Sequence, residues 1–112
     1  MRIAIPVSQG KLAAHFGHCE QFVLCDLDPE TKSVVKMESL TPPAHEPGVL
    51  PAWLAEQGAQ VILAGGMGSR AQQLFTSHGV KVIVGAPELD PETLALQYLA
   101  GEINPGQNAC DH

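Results

Sequence analysis

Cysteine, aromatic rings and positive charge are all scarce in this chain of 112 residues. Its three cysteines, Cys19, Cys25 and Cys110, are odd in number and irregularly spaced, which excludes a disulfide framework. Lys and Arg total six against twelve Asp and Glu, a formal net charge of −6. The basic residues are scattered, so neither nucleic acid nor an anionic membrane surface is an expected partner, because both require basic patches. No apolar run approaches the ~18–20 residues needed to cross a bilayer. The opening MRIAIPV has the alternation of a strand and lacks the basic segment, apolar core and cleavage site of a secretory leader. The expected location is the cytoplasm, where thiols stay reduced.

What is present describes one ordinary core. At this length roughly two-thirds of the unfolded surface can be buried, so no metal or disulfide is required for stability alone. A single domain is expected over residues 1–112, with residues 102–112 an irregular tail. Residues 2–7 place Ile3, Ile5 and Val7 on one face, and 22–27 and 33–40 read as two further strands joined at DPETK. These three strands form an antiparallel meander. TPPAHEP, 41–47, then breaks the pattern, because proline-rich backbone suits neither helix nor central strand.

Helices and buried strands alternate from there. Val49, Leu50, Trp53 and Leu54 recur at helical spacing, with Gly58 as a stop. Residues 60–66 form a continuous apolar strand ending in glycines. Ala71, Leu74 and Phe75 mark a second helix closed by Gly79, and 80–86 is another buried strand. A third helix lies within 89–101, where Asp90 suits the N-cap, Pro91 the first helical position and Gly101 the stop. Strands joined by helices are parallel with right-handed crossovers, and strands without a polar face need helices on both sides. The expected fold class is α/β: a three-layer α/β/α domain around a five-stranded mixed sheet, three strands antiparallel and two parallel.

The unusual chemistry is concentrated in two connections. SQGKLAAHFGHCE leaves the first strand and GGMGSR leaves the fourth. If those strands are adjacent and parallel, both connections open at one sheet edge, where open α/β sheets bind ligands. His15, His18 and Cys19 offer the imidazole and thiol groups that suit zinc, copper and iron–sulfur species. Four-ligand zinc or iron–sulfur patterns cannot be written from the cysteines present. An incomplete ligand set suits a cluster that arrives and leaves better than a permanent cofactor. The competing reading makes Phe16 and Gly17 a turn, the histidines solvated and Cys19 a small core hydrophobe.

In GGMGSR, Gly65, Gly66 and Gly68 permit an anion-binding nest at a helix N-terminus, and Arg70 adds a full positive charge. Met67 offers a thioether, although packing is the commoner role. Cys110 and His112 form C-x-H in the tail and join the cluster only if the tail folds back. Cys25, alternating with Val23 and Leu27, points into the core. His78 reads as structural at a helix C-terminus and His45 as exposed. Trp53, Tyr98, Phe22 and Phe75 read as core.

The segments HFG at 15–17, C-x2-F at 19–22, VILAGGMGSRAQQLF at 61–75, GVKVIVGA at 79–86 and the ending YLAGEINPGQNACDH resemble the dinitrogenase iron–molybdenum cofactor biosynthesis family. The resemblance spans essentially the whole chain. Its single-domain members are similar to nitrogenase accessory proteins X and Y and to the C-terminal domain of nitrogenase protein B. It implies a ribonuclease H-like motif fold without nuclease activity. It also implies non-covalent binding of an iron–sulfur or iron–molybdenum type cluster, or a precursor, in nitrogen-fixation-related assembly. His15 matches the family's HFG histidine, and Cys19 matches a position where many members carry cysteine. KLAA stands where many members have an acidic or serine-rich stretch.

The resulting expectation is a cytoplasmic, non-catalytic carrier or scaffold that exchanges a cluster with donor and acceptor proteins. Its expected binding residues are His15, Gly17, His18, Cys19, Gly65, Gly66, Met67, Gly68 and Arg70. Two alternatives compete: a thiol enzyme using Cys19 with His15 or His18 as base, and an interaction module with no metal ligand. Oligomeric state is open, with a monomer favoured.

Overall fold

A computed structural model describes residues 1–13, 19–43 and 48–103. These residues form six strands and three helices: β1 (Arg2–Ser8), β2 (Lys11–Leu12), β3 (Gln21–Asp28), β4 (Ser33–Leu40), α1 (Val49–Glu56), β5 (Val61–Leu63), α2 (Ser69–Ser77), β6 (Lys81–Ile83) and α3 (Pro91–Leu99). The sheet runs β4-β3-β1-β5-β6. β1 pairs antiparallel with β3 and parallel with β5; β4 extends β3 antiparallel, and β6 extends β5 parallel. The expected mixed sheet is present.

The strand count differs by one. Within the segment read as a loop, the chain reverses at Gln9 and Gly10, whose φ angles are 54° and 80°. Two consecutive positive φ values define the tight hairpin turn that matches strand twist, and Gly10 adopts one without strain. The chain returns as β2, pairing Val7 with Leu12 and Ser8 with Lys11. Gln is not a residue that announces such a turn, so the reversal was hidden. Conversely, β5 and β6 are shorter than the apolar runs 60–66 and 80–86. Their hydrogen bonding nevertheless continues past the strands, from Ala64 N to Ile83 O and from Gly85 N to Gly65 O.

Alternation along the central strands divides the interior into two layers. Ile3, Ile5 and Val7 of β1, with Val23, Cys25 and Leu27 of β3, pack against Leu94 and Ala95 of α3. Ala4, Phe22 and Leu24 face the other way, toward Leu50 and Leu54 of α1 and Phe75 of α2. One helix thus covers one face and two cover the other, the three-layer arrangement expected. Phe22 and Phe75 are fully buried, and Trp53 meets Phe22 edge-on at 5.8 Å.

Helix punctuation follows the sequence closely. Asp90 caps α3, its carboxylate accepting from Thr93 N at 3.0 Å and from Thr93 Oγ1 at 2.7 Å. Gly58, Gly79 and Gly101 beyond the three helices have φ of 84°, 78° and 73°, the left-handed stop that glycine adopts most readily. His78 is the C-cap residue of α2. Ile103, in the segment expected to be irregular, packs on the α3-side core.

A row of alternating charge crosses one end of the sheet. Arg2 on β1 lies opposite Asp26 on β3, which lies opposite Lys36 on β4. The Arg2 guanidinium donates to both Asp26 oxygens, at 2.7 and 3.1 Å, and to Gln57 O at 2.7 Å. These bonds hold the Asp26 carboxyl below the usual carboxylate range.

Two outcomes follow from this frame. Leu94→Ala empties the contact between α3 and the sheet and should cost about 2–5 kcal/mol in denaturant unfolding. A depressed folded-state pKa adds stability above the unfolded carboxyl value that is lost as pH falls through the folded one. Asp26→Asn should therefore lower stability modestly near neutral pH, by less than about 1 kcal/mol for a partly exposed pair. The deficit should vanish in an acid titration as the native carboxyl protonates.

Candidate functional site

β1 and β5 pair only through Ile3↔Val61 and Ala4↔Ile62. Beyond these pairs the strands take different neighbours: β1 acquires β2, while the chain after β5 stays bonded to the chain after β6. Connectivity also diverges there, running through β3 and β4 on one side and to β6 on the other. This is the topological switch point, and the chain leaving both strands emerges at its edge.

On the β1 side, the connection is held at both flanks. Ala13 N donates to Pro6 O and Glu20 N donates to Val7 O, each at 2.9 Å. The Glu20 carboxylate accepts from Gln9 N at 2.8 Å and Ser8 Oγ at 3.2 Å, clasping the β1–β2 turn. Sequence reasoning missed Glu20, because nothing in its local pattern announces a partner eleven residues earlier. The candidates His15, Gly17 and His18, together with Phe16, lie outside the described residues, as do Cys110, His112 and His45.

Cys19 is the described member of the histidine–cysteine cluster. It is half-buried and packs on the apolar layer that contains Met67, Phe22 and Phe75. Burial pushes its thiol up to about 11, so it is neutral near pH 7. A nucleophilic cysteine needs the opposite, a depressed pKa from nearby positive charge. Cys25 faces the core as expected, and burial pushes it up to about 11 as well.

On the β5 side, Gly65, Gly66 and Met67 are buried, while Gly68, Ser69 and Arg70 are exposed. The expected nest is absent. A nest requires a left-handed residue in the turn, and none of Gly65, Gly66 and Gly68 has positive φ. Gly68 is instead the extended N-cap of α2, with φ −65° and ψ 155°. It provides no side-chain cap, and the first turn of α2 carries no acidic residue. The amide donors at this end therefore come from the helix itself. Arg70 occupies the same turn. Met67 is fully buried, and its carbonyl accepts from Gln72 Nε2 at 2.9 Å.

The structure thus brings Cys19 and the Gly65–Arg70 turn to one edge of the sheet and one side of it. Among the described residues, no group of three His, Cys, Asp or Glu side chains converges on a point. Nor is any helix among them long and apolar enough to cross a membrane.

Fold and site together define a three-layer α/β domain with two connections at one switch point, a half-buried thiol on one and an uncapped helix start on the other. The chain belongs to the dinitrogenase iron-molybdenum cofactor family, whose model matches residues 1–101. An uncharacterised protein of Methanocaldococcus jannaschii is 31% identical over 85 residues, covering 73% of this chain and 72% of that protein. The crystal structure of the protein PH0822 superposes with a TM-score of 0.84 at 29% identity, covering 94% of each chain. The apo form of the orange protein from Desulfovibrio gigas superposes with a TM-score of 0.73 at 26% identity, over 96% of this chain and 93% of that one.

The thiol environment gives a direct readout. In a Cys110→Ser background, Cys19 should react with a small disulfide reagent near pH 8 about two orders of magnitude more slowly than free cysteine, because its thiolate fraction is smaller. The rate should climb steadily toward pH about 11. A fast reaction at neutral pH would identify an activated nucleophile.

Proposed function

We propose that this protein binds an anionic metal–sulfur cluster of the iron–sulfur or iron–molybdenum type, or a precursor of one, and carries it between a donor and an acceptor protein. The cargo sits at the switch point, against His15, His18 and Cys19 on one connection and the Gly65–Arg70 turn on the other. Membership of the cofactor family supports cluster assembly as the setting. The observation that carries the site is that Cys19 and Met67 pack on one apolar layer at the edge where β1 and β5 part. On this reading Cys19 is the soft ligand and the start of α2 the anion-favouring partner.

The chemistry of that edge fits a polyanion. Backbone N–H groups at a helix start favour negative charge, and a cation in the first turn is disfavoured by the helix dipole unless an anion offsets it. Arg70 is such a cation, and no acidic residue in that turn neutralises it. The Cys19 thiol must lose its proton on binding metal, so its elevated pKa weakens ligation at neutral pH. Weak, partial ligation suits cargo that has to leave. The same raised pKa supports a non-catalytic role over the thiol-enzyme alternative. The reading also sets the protein in a reducing cytoplasm.

Anaerobic reconstitution with ferrous iron and sulfide, with and without molybdate, tests the reading by absorbance and metal analysis. The wild type should acquire a charge-transfer band and bound metal. His15→Ala combined with Cys19→Ser should weaken uptake at least about tenfold, as removing ligands from a metal site does. Arg70→Glu should weaken it by a smaller factor. Equal uptake by the double variant and the wild type would remove the assigned site.

A further inference from the structure

The charge row across the sheet ends abruptly. Arg2, Asp26 and Lys36 alternate in sign over β1, β3 and β4, and Lys36 stands at the outer strand with no described strand beyond it. Glu38 lies two residues along the same strand and so projects from the same face. Among the described residues, the large apolar side chains left exposed are Met1, Val35, Met37 and Leu96, and three of these four gather at this edge. Val35, Met37 and Leu96 line one shallow groove between β4 and α3, rimmed by Lys32, Lys36 and Glu92.

We propose that the β4 edge pairs with the β4 edge of a second copy of this chain, antiparallel and centred on Met37. A two-fold axis normal to the sheet makes the contact self-complementary. Centring on Met37 sets Lys36 opposite Glu38 of the second copy and Glu38 opposite its Lys36. The row then continues with alternating sign across the junction. Neighbouring two-fold registers do not achieve this. Centring on Lys36 opposes two lysines and centring on Glu38 opposes two glutamates, and like charges directly opposite are destabilising.

The other face agrees. Met37 pairs with Cys25 across β3 and β4, so it projects toward α3. The same axis keeps both copies of α3 on one side of the joined sheet, bringing the two exposed Met37–Leu96 patches together. Val35 is skipped in the β3–β4 register, a bulge between Asp26/Leu27 and their partners. A bulge twists an edge and limits how far pairing runs. Only the stretch from Val35 to Ser39 is then available, and so short a ladder belongs to the small, reversible class of interfaces. The pairing is independent of the cluster reading, since two strands, β3 and β1, separate β4 from β5.

Sedimentation velocity of the full chain over about a hundredfold concentration range, with backbone hydrogen exchange of β4, tests the pairing. The wild type should show a reversible monomer–dimer equilibrium, with amide protection from Val35 to Ser39 rising with concentration. Glu38→Lys should weaken the dimer at least about tenfold, the factor expected when an opposed pair becomes a like-charge pair at two symmetric positions. Lys36→Glu combined with Glu38→Lys should restore it to within about threefold. All residues changed are exposed, and circular dichroism should show an unaltered fold. A wild type that stays monomeric throughout would overturn the proposal. So would a dimer indifferent to Glu38→Lys, one not restored by the double exchange, or one that leaves β4 unprotected.

Discussion

β1 has a neighbour of each kind, and the architecture hangs on that. Antiparallel pairing with β3 over Arg2–Val7 gives it a long, strong edge contact, while parallel pairing with β5 is confined to Ile3 and Ala4. A strand buried on both faces must be apolar on both, which is why Ile3 and Ile5 serve one layer and Ala4 the other. The brevity of the parallel contact matters as much as its existence. Had β1 and β5 stayed paired to their ends, the chains that leave them would also have left side by side. β2 takes up the free edge of β1 at Val7 and Ser8, and the two connections diverge from a shared origin.

Electrostatics at that edge run against those of the protein as a whole. A chain with formal charge −6 repels anions at long range. The start of α2, with backbone donors, Arg70 and no acidic residue in its first turn, reverses the sign locally. Salt screens the distant repulsion within about 10 Å, whereas a contact at the helix start is screened far less. On the proposed reading, an anionic cargo is disfavoured in free encounter and favoured once delivered to the edge, which is the behaviour a carrier loaded by another protein requires.

Most of the frame was legible because each element carried redundant signals. α3 has Asp90 before it, Pro91 at its start and Gly101 after it, and all three occupy the expected places. The layers followed from strand alternation, so Cys25 could be assigned to the core from Val23 and Leu27 alone. β2 was not legible, since two residues carry no periodicity and Gln9 is an unusual residue for positive φ. The site was legible only in part. Unusual residue types drew attention to Cys19 and to Gly65–Arg70, and parallel pairing of β1 with β5 brought their connections to one edge. The backbone conformation of the glycines was not readable. Glycine permits a nest without requiring one, and Gly68 instead adopts an extended N-cap.

On the proposed reading, the described parts of the two connections bear on how a cargo is held. The β5 side is rigid by construction: Gly65 is bonded to the chain after β6, Met67 is wedged in the core, and α2 starts directly after. On the β1 side, the described flanks are held by Ala13, by Glu20 and by the Glu20 clasp on Gln9 and Ser8. Donors fixed in advance lower the ordering cost of binding. On the proposed reading, the start of α2 recognises the charge of the cargo and Cys19 adds ligation. Cys19 packs on the same apolar layer as Met67, its burial keeps the thiol protonated near pH 7, and on the proposed reading a metal displaces that proton.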